Sequence, residues 1–385
     1  MHIKHLNLVN FRNYDSVDIA LQPGINLLLG GNGEGKTSIV ESIIYLSSLV
    51  APRHGGYVPM IKMTTNQALI RALAKYQERE NLVELELNSE TKNRAKVNRS
   101  DTSSPREILG YIKTVSFTPE DSRIIHDDPS DRRAFIDQLL IQFTPRLAAV
   151  FSDYERALKQ RNSLLKSSRG LPKNSPGLST LDAWDASLIE HGAEIISQRF
   201  ELATKLAPYL SAAYKSISED NREATLTVVS TVLSEGNDVD GEQQAVTTPD
   251  RKLIAEKFKE RLIELRSKEL ERGVTLVGPH RDELKLMLGE YPAKGYISYG
   301  EAWSFAVSLK LASAELLRAE AQAGDPILIL DDVFSSLDDQ RLERLLDLVS
   351  NYEQVIITDA IRGKQESFQS ATRFLIADGK VTQLQ

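Results

Sequence analysis

The chain has 385 residues, of which 26% are charged and 41% hydrophobic, and this profile predicts a globular protein with two or three domains. It contains no cysteine, which excludes disulfides, thiolate metal sites and cysteine nucleophiles. The net charge of -7 argues against a uniformly basic nucleic-acid binder, although local basic surfaces would still attract phosphates. We see no signal peptide and no apolar stretch of transmembrane length, and therefore expect a cytoplasmic protein with no membrane partner.

The N-terminal residues predict an opening β-hairpin. Apolar residues alternate along two short segments, and the turn-rich stretch 10–14 separates them. A third apolar segment, 25–29, leads directly into a glycine-rich loop. Alternation with a period of two places one face of the hairpin in a core.

The glycine-rich loop is a complete phosphate-binding motif of the form G-x-x-x-x-G-K-[ST], and it lies between a strand pattern and a helix pattern, as the motif requires. Glycines let backbone N–H groups surround phosphates, and the following helix adds the positive end of its dipole. We predict that Lys36 contacts the β- and γ-phosphates and that the Thr37 hydroxyl holds Mg²⁺. The predicted nucleotide-binding residues are Gly30, Gly31, Asn32, Gly33, Glu34, Gly35, Lys36 and Thr37.

After this loop the pattern changes from strands to helices. Strand patterns occur at 68–73, 83–87 and 115–117, and an exposed hairpin is expected at 92–99. From 131 to 166 apolar residues recur with a helical period, which Pro145 should break. A Ser/Gly/Pro-rich loop, a second helix, a strand, a polar acidic segment and a charged helix are expected at 167–179, 181–214, 224–233, 235–250 and 251–272. Two long helices joined by a loop indicate an antiparallel arm that is inserted into a nucleotide-binding head.

A short motif precedes the next helical run. Ser298-Tyr299-Gly300-Glu301 resembles the signature motif of ABC-type ATPases, which close head to tail as dimers. On that resemblance Ser298, Gly300 and Glu301 would meet the γ-phosphate held by the opposite subunit, in trans. A plain capping box, with Ser298 and Glu301 capping the helix, is the simpler alternative.

A second buried strand ends in two carboxylates. Residues 326–332 read Pro-Ile-Leu-Ile-Leu-Asp-Asp, which is the Walker B arrangement. We predict that Asp331 holds Mg²⁺ and that Asp332 is the general base, so that Asp332 and Lys36 are the catalytic residues. A core strand followed by two turn aspartates is the alternative. Residues 336–338 lie where ABC-type ATPases have a dimer-contacting loop.

These motifs together predict an α/β fold. It would be an ABC-type P-loop ATPase head, a mixed sheet flanked by helices, with an inserted, mostly helical arm domain. We expect residues 1–115 and 273–385 to form the head and residues 116–272 to form the arm.

Along nearly its whole length the chain resembles the RecF family of bacterial recombinational-repair ATPases. The resemblance rests on the blocks at 10–14, 31–37, 117–121, 128–137, 278–282 and 330–335. It implies a protein that binds ATP with Mg²⁺, dimerises on ATP and binds duplex DNA near single-strand gaps. It further implies that the chain works with RecO and RecR to load the RecA recombinase, and that slow ATP hydrolysis releases the DNA. A protein of this kind would be nucleoid-associated.

The chain departs from that family at three places. Glu301 stands where the signature motif usually has Gln, and Ser336 where RecF proteins usually carry Glu. Thr358 and Asp359 occupy the position at which many ABC ATPases have a switch His. The resemblance therefore leaves the sensing of the γ-phosphate open, which fits a slow ATPase.

Charge alone gives the candidate DNA contacts. The arm candidates are Arg132, Arg133, Arg156, Lys159 and Arg161, and a second basic patch on the head comprises Lys92, Arg94, Lys96 and Arg99. An ordinary solvated helix face is the alternative for each patch, and Arg132 and Arg133 could instead brace the fold. For the motif at 278–282, contact with nucleotide or partner and a plain structural turn both remain open.

Other functional classes fit less well. A transporter motor would need a membrane partner, a long chromosome tether would need a far longer insertion, and a nuclease-linked ATPase would need an appended metal domain. An ATPase of the chromosome-condensing or double-strand-break type that acts on a protein partner remains the alternative.

Overall fold

The computed structural model describes residues 1–52, 55–168, 180–218, 221–234, 248–320, 324–333, 339–359 and 370–384. The chain divides into two compact units. Unit 1 comprises Met1–Ser122, Ala212–Asn221 and Trp303–Gln385, and unit 2 comprises Arg123–Ser211 and Arg222–Ala302. Each unit has helices and strands.

Within the described residues, the strands are β1 His2–Phe11, β2 Tyr14–Ala20, β3 Gly24–Leu29, β4 Gln67–Tyr76, β5 Arg79–Asn88, β6 Arg94–Val97, β7 Ser100–Asp101, β8 Thr114–Phe117, β9 Ala224–Val229, β10 Glu283–Leu288, β11 Tyr291–Pro292, β12 Ile327–Asp331, β13 Gln354–Asp359, β14 Thr372–Ala377 and β15 Lys380–Leu384. The α-helices in the same part of the chain are α1 Lys36–Ser48, α2 Arg123–His126, α3 Pro129–Phe143, α4 Leu147–Ser167, α5 Leu181–Ile217, α6 Arg251–Arg272, the single distorted turn α7 Ala293–Tyr296, α8 Tyr299–Glu320 and α9 Asp339–Val349. The helix patterns of the sequence are thus confirmed, and α6 has the predicted bounds.

A six-stranded sheet in the order β15-β14-β3-β13-β12-β8 carries the phosphate loop. All its neighbouring strands pair in parallel except β14 and β15. The residues of β12 from Ile327 to Leu330 are buried, as expected for a strand covered on both faces. Because parallel strands end at the same edge, the carboxyl ends of β3, β12 and β13 lie side by side at that edge.

A second six-stranded sheet of unit 1 is antiparallel, in the order β2-β1-β4-β5-β6-β7. The predicted N-terminal hairpin is confirmed, with β1 and β2 paired from His5–Ala20 to Phe11–Tyr14. Alternate residues, such as Leu6 and Leu8, are fully buried in the core of unit 1. The opposite face carries charged side chains, including the Arg71–Glu84 ion pair at 2.8 Å between β4 and β5. This sheet therefore has one apolar face that packs in the core and one polar face.

Unit 2 combines the helices α2–α7 with a three-stranded antiparallel sheet in the order β11-β10-β9. The predicted break at Pro145 is confirmed, since α3 ends at Phe143 and α4 begins at Leu147. Tyr154, Leu188 and Phe258, from three different helices, meet in one apolar cluster. The core of unit 2 is thus formed chiefly between α4, α5 and α6.

The bounds of the units differ from the expected domain boundaries at residues 115 and 272. Residues 273–302 belong to unit 2, because β10 pairs with β9 along its whole length, from Glu283–Val229 to Leu288–Ala224. The insertion accordingly contains a small sheet as well as helices. Most of the two expected loops, residues 169–179 and 235–247, lie outside the described residues. No helix in the described part of the chain is long and apolar enough to cross a membrane.

Candidate nucleotide-binding site

The loop between β3 and α1 has the backbone that a phosphate-binding loop needs. Gly35, the residue before α1, has φ +108°, a region that side-chain-bearing residues rarely adopt. A Cβ atom there would lie 2.6 Å from the Tyr14 hydroxyl and 2.7 Å from Asn13 Nδ2. Backbone conformation and crowding therefore both require glycine at this position.

The side chain of Lys36 is folded over this loop. Its Nζ donates hydrogen bonds to the carbonyl oxygens of Gly30 at 2.6 Å and Gly31 at 2.8 Å, and only 9% of the residue is exposed. The ammonium group is thus held over the loop at the N-terminus of α1, where the N–H groups of the first helical turn also lie. This combination concentrates positive charge and donors for an anion.

Thr37 and Asp331 meet although 294 residues separate them in sequence. The Thr37 hydroxyl donates to Asp331 Oδ1 at 3.2 Å, and the Thr358 hydroxyl donates to the same oxygen at 2.6 Å. Burial raises the pKa of Asp331, while the hydrogen bonds from Thr358 and Thr37 oppose that rise. The structure thus brings together the two residues predicted to hold Mg²⁺.

These two groups fit a magnesium ion. A hydroxyl and a carboxylate are hard oxygen ligands, and Mg²⁺ in nucleotide sites takes one or two protein ligands with phosphate and water oxygens. Thr37 Oγ1 and Asp331 Oδ1 face each other at the end of β12 beside the first turn of α1. The same oxygen of Asp331 also binds Thr358, which fixes the orientation of the carboxylate.

Asp332, the predicted general base, follows directly after β12. Its φ is +53°, and its backbone N–H donates to Thr358 Oγ1 at 3.0 Å. Its side chain is exposed, whereas that of Asp331 is mostly covered. Residues 336–338, expected as a dimer-contacting loop, lie outside the described residues.

The N-terminal hairpin is tied to the site by its tip. Arg12 makes a bidentate ion pair with Glu41 of α1, at 2.9 Å from Nε and 3.2 Å from the second nitrogen. Asn13 Nδ2 donates to the carbonyl oxygen of Glu34 in the phosphate loop at 3.2 Å. Sequence analysis placed both residues in a family block without a role. Their role in this structure is to hold the loop and the start of α1.

The signature-like motif is a capping box in this structure. The Ser298 N–H donates to Glu301 Oε2 at 2.7 Å, and the Glu301 N–H donates to Ser298 Oγ at 3.3 Å. Ser298 is exposed at the N-terminus of α8, while Gly300 is partly buried. A capped helix end with an exposed serine is compatible both with a plain capping box and with a signature motif that meets a phosphate of a second subunit. Ser298 belongs to unit 2, and the phosphate loop belongs to unit 1.

Two of the candidate DNA-contacting residues are buried. Arg161 is fully buried in unit 2, where it binds Asp185 at 2.6 Å and Glu269 at 2.6 Å. Arg132 is 5% exposed and binds both carboxylate oxygens of Glu283, at 2.7 and 2.9 Å. Neither guanidinium is accessible to DNA phosphates, so we correct the expectation for both and assign them to the internal packing of unit 2.

The other arm candidates differ in exposure. Arg156 and Lys159 are exposed on α4, and Arg156 lies 3.1 Å from Asp153 in a surface ion pair. Arg133 is partly buried and donates to the carbonyl oxygen of Asp282 at 2.8 Å. Exposed ion pairs are weak, so Arg156 could exchange Asp153 for a DNA phosphate. Among the five arm candidates, the two that are exposed to solvent, Arg156 and Lys159, both lie on α4.

The basic patch on the head is partly neutralised by its neighbours. Lys96 pairs with Asp101 at 3.2 Å and lies opposite Glu84 in the sheet, and Arg94 lies opposite Glu86. These contacts within the antiparallel sheet favour an ordinary solvent-exposed charged face over a DNA-binding patch.

The motif at 278–282 forms a structural turn inside unit 2. His280 Nδ1 lies 2.6 Å from the Tyr154 hydroxyl, and burial lowers the pKa of His280 to about 4. Asp282 Oδ1 accepts hydrogen bonds from the Thr231 N–H at 2.9 Å and its hydroxyl at 3.1 Å. These buried contacts give the motif a packing role. They support the structural turn, rather than contact with nucleotide or partner.

Comparison with known proteins agrees with this geometry. The RecF/RecN/SMC N-terminal domain model matches residues 2–382. The "DNA replication and repair protein RecF" of Streptomyces avermitilis is 44% identical over 384 residues, which cover 99% of each chain. Its namesake from Leifsonia xyli subsp. xyli is 47% identical over 362 residues, which cover 94% of each chain.

Solved structures give the same result. One described as the recombination mediator protein RecF-ATP in the RecFOR pathway matches with a TM-score of 0.88 and 30% identity, over 100% of this chain and 98% of that one. An Smc head bound to the C-terminal winged-helix domain of ScpA matches with a TM-score of 0.55 and 16% identity, over 100% and 98% of the two chains, which supports the fold alone. The predicted ATPase-head fold is confirmed, and the chain belongs to the RecF family.

Proposed function

We propose that the chain is an ATP-gated DNA-binding protein of recombinational repair. It binds ATP with Mg²⁺, dimerises on ATP, binds DNA at duplex and single-strand gap junctions and, with RecO and RecR, promotes the loading of RecA. The observation that carries this proposal is the Thr37–Asp331 contact beside Lys36, in a chain whose full-length relatives are named for DNA replication and repair. A protein-partner motor is the alternative function.

Lys36 and the loop would bind the phosphates of ATP. In this proposal the ammonium group exchanges its hydrogen bonds to Gly30 and Gly31 for oxygens of the β- and γ-phosphates. Thr37 and Asp331 would hold Mg²⁺, which supplies charge neutralisation at the phosphates when bound. The loop N–H groups and the first turn of α1 add fixed donors. Binding would therefore replace the hydrogen bonds of Lys36 within the loop by hydrogen bonds to the phosphates, while the backbone donors stay fixed.

Asp332 would orient the water that attacks the γ-phosphate. Its exposed carboxylate lies one residue beyond the Asp331 carboxylate, and the hydrogen bond from its N–H to Thr358 fixes the backbone at that point. We propose that hydrolysis is slow and acts as a timer for DNA release.

The second half of the site would come from a second copy of the chain. Ser298 is exposed at the start of α8, and its capping box with Glu301 leaves the serine at the helix end. We propose that this end meets the γ-phosphate held by the other subunit. Dimerisation would then depend on ATP, and hydrolysis would loosen the dimer.

DNA would be held by local positive charge. Arg156 and Lys159 on α4 are the exposed arm candidates, and Arg133 is a partly covered third. Because the net charge is -7, binding depends on such patches and should weaken steeply with salt.

The test is binding of the full chain to a labelled gapped duplex, with a slowly hydrolysed ATP analogue and Mg²⁺ against ADP, at two salt concentrations. Tight binding with the analogue alone, weakened by salt, is the expected result. Sedimentation velocity on wild type and Ser298→Arg tests the second copy, because an arginine there should block the dimer. Binding that is equal with ADP, or a dimer that survives Ser298→Arg, would contradict the proposal.

A further inference from the structure

The chain carries a negative charge at its signature-like motif. Glu301, the last residue of that motif, is acidic. Hydrogen bonds with Ser298, and then the ion pair with Arg222, lower the pKa of Glu301, so its carboxylate is ionised at neutral pH. In the proposed function this carboxylate lies one helical turn from a phosphate of the partner's nucleotide. Two anions at that distance repel each other.

Arg222 lies against this carboxylate. Its guanidinium donates to Glu301 Oε1 and forms an ion pair with it, while Oε2 accepts from the Ser298 N–H at 2.7 Å. Each carboxylate oxygen therefore has its own donor. The donor from Ser298 belongs to the helix cap, and the donor from Arg222 comes from a residue two positions before β9.

The aliphatic stem of Arg222 packs over the turn between β10 and β11. A Cβ atom on Gly289 would lie 3.4 Å from Arg222 Cγ and 3.5 Å from its Cδ, so the stem packs over that turn. The Gly289 N–H also donates to the carbonyl oxygen of the adjacent Glu223 at 2.8 Å. The sheet thus positions the guanidinium toward the start of α8.

We propose that Arg222 is a positioning residue of the signature site. It compensates the charge of Glu301 and fixes that carboxylate as the cap of Ser298, so that the helix end can receive an anion. This inference rests on the proposed function, because it assumes that the helix end meets a phosphate.

The alternative is an ordinary surface ion pair. Arg222 is 38% exposed and Glu301 28% exposed, and pairs at such positions contribute little to stability. A pair of that kind would not change ATP-dependent association. Association therefore distinguishes the two readings, whereas thermal stability does not.

The experiment is a double-mutant cycle on Arg222→Met and Glu301→Gln, read by sedimentation velocity with a slowly hydrolysed ATP analogue and Mg²⁺. We expect Arg222→Met to weaken dimerisation by roughly tenfold, as an uncompensated charge near an anion should. Glu301→Gln, which removes the charge that Arg222 compensates, should weaken association far less than Arg222→Met does, and the double variant should associate as Glu301→Gln does. Arg222→Lys, which keeps the charge, should preserve most of the association.

Three results would overturn the inference. They are a dimer that Arg222→Met leaves unchanged, a double variant as weak as Arg222→Met, and an Arg222→Lys variant as weak as Arg222→Met. Thermal melts must show that each variant is folded, and Arg222→Gln replaces the methionine variant if that one is not. A wild-type chain that stays monomeric with the analogue would overturn the proposed function and this inference together. A wild-type dimer that Arg222→Met leaves unchanged would overturn the inference alone.

Discussion

Thr358 donates its hydroxyl hydrogen to Asp331 at 2.6 Å and accepts one from the N–H of Asp332 at 3.0 Å. One side chain on β13 thereby connects the predicted metal ligand to the backbone of the predicted general base. The two strands pair in parallel, with Asp331 opposite Thr358. Thr358 is one of the two residues that stand where a switch His was considered in the sequence, and its hydroxyl contacts the Asp331 carboxylate and the Asp332 backbone.

We predict that Thr358→Val lowers ATP turnover about tenfold and raises the Mg²⁺ concentration needed for half-maximal rate. Valine keeps the shape but removes both hydrogen bonds, and the loss of the donor raises the pKa of Asp331 further. Turnover measured against Mg²⁺ concentration checks this. Thr358→Ser, which keeps the hydroxyl, is the matched control, and equal Mg²⁺ dependence in the valine variant would refute the role.

Two glycines of the phosphate loop should respond differently to alanine. Gly33 and Gly35 have φ of +86° and +108°, so alanine strains the backbone at both. A Cβ atom at Gly35 would clash with Tyr14 and Asn13, whereas at Gly33 it would meet nothing within 4 Å. We expect Gly35→Ala to abolish detectable ATP binding and Gly33→Ala to weaken it by roughly tenfold. Titration with a fluorescent ATP analogue measures both, and equal losses would show that crowding at Gly35 is unimportant.

Arg161 should be a stability residue. Its removal leaves the carboxylates of Asp185 and Glu269 buried without their main cation, so Arg161→Met should cost about 3–5 kcal/mol in free energy of unfolding. The exposed Arg156, on the same helix, supplies the matched control, since Arg156→Met should change stability by less than about 0.5 kcal/mol. Urea unfolding followed by far-UV circular dichroism measures both. Similar midpoints for the two variants would contradict the assignment of Arg161 to the core.

Much of the fold and the nucleotide site followed from local patterns. The phosphate loop and the Walker B strand each lie within one short segment, so periodicity and glycine spacing were sufficient to predict them. Thr358 had no such signal, because its contact with Asp331 depends on the parallel pairing of β12 and β13. The extent of unit 2 had no local signal for a similar reason, since the pairing of β9 with β10 joins residues far apart in the sequence.

The burial of Arg161 and Arg132 could have been predicted from their positions on the helices, although their charge suggested exposure. The buried residues of α4 include Tyr154, Ala157, Arg161 and Leu165, which recur at helical spacing, so Arg161 continues the apolar stripe. Arg132 likewise shares the face of α3 that buries Ile136 and Leu139. A cation that falls in such a stripe is better read as an internal ion pair than as a ligand contact.

The pH dependence of stability provides a test of the turn at 278–282. Burial raises the pKa of Asp282 to about 6, and burial lowers that of His280 to about 4. Between pH 4 and pH 6 the folded chain keeps a proton on Asp282 that the unfolded chain has lost, so this group alone makes stability fall as pH rises. His280 acts in the opposite direction, because over the same range the unfolded chain binds a proton that the folded chain does not.

The two contributions should nearly cancel in the wild type, and removing either one should uncover the other. Relative to wild type, Asp282→Asn should gain stability by about 1.4 kcal/mol per pH unit between pH 4 and pH 6, and the gain should level off above that range. His280→Gln should show the opposite slope, which makes each variant the control for the other. Urea unfolding at pH 4.5, 5.5, 6.5 and 7.5 measures the differences, in which groups unaffected by the substitutions cancel. Curves that stay parallel to wild type would mean that neither group titrates differently in the folded chain, and that the buried turn does not control acid stability.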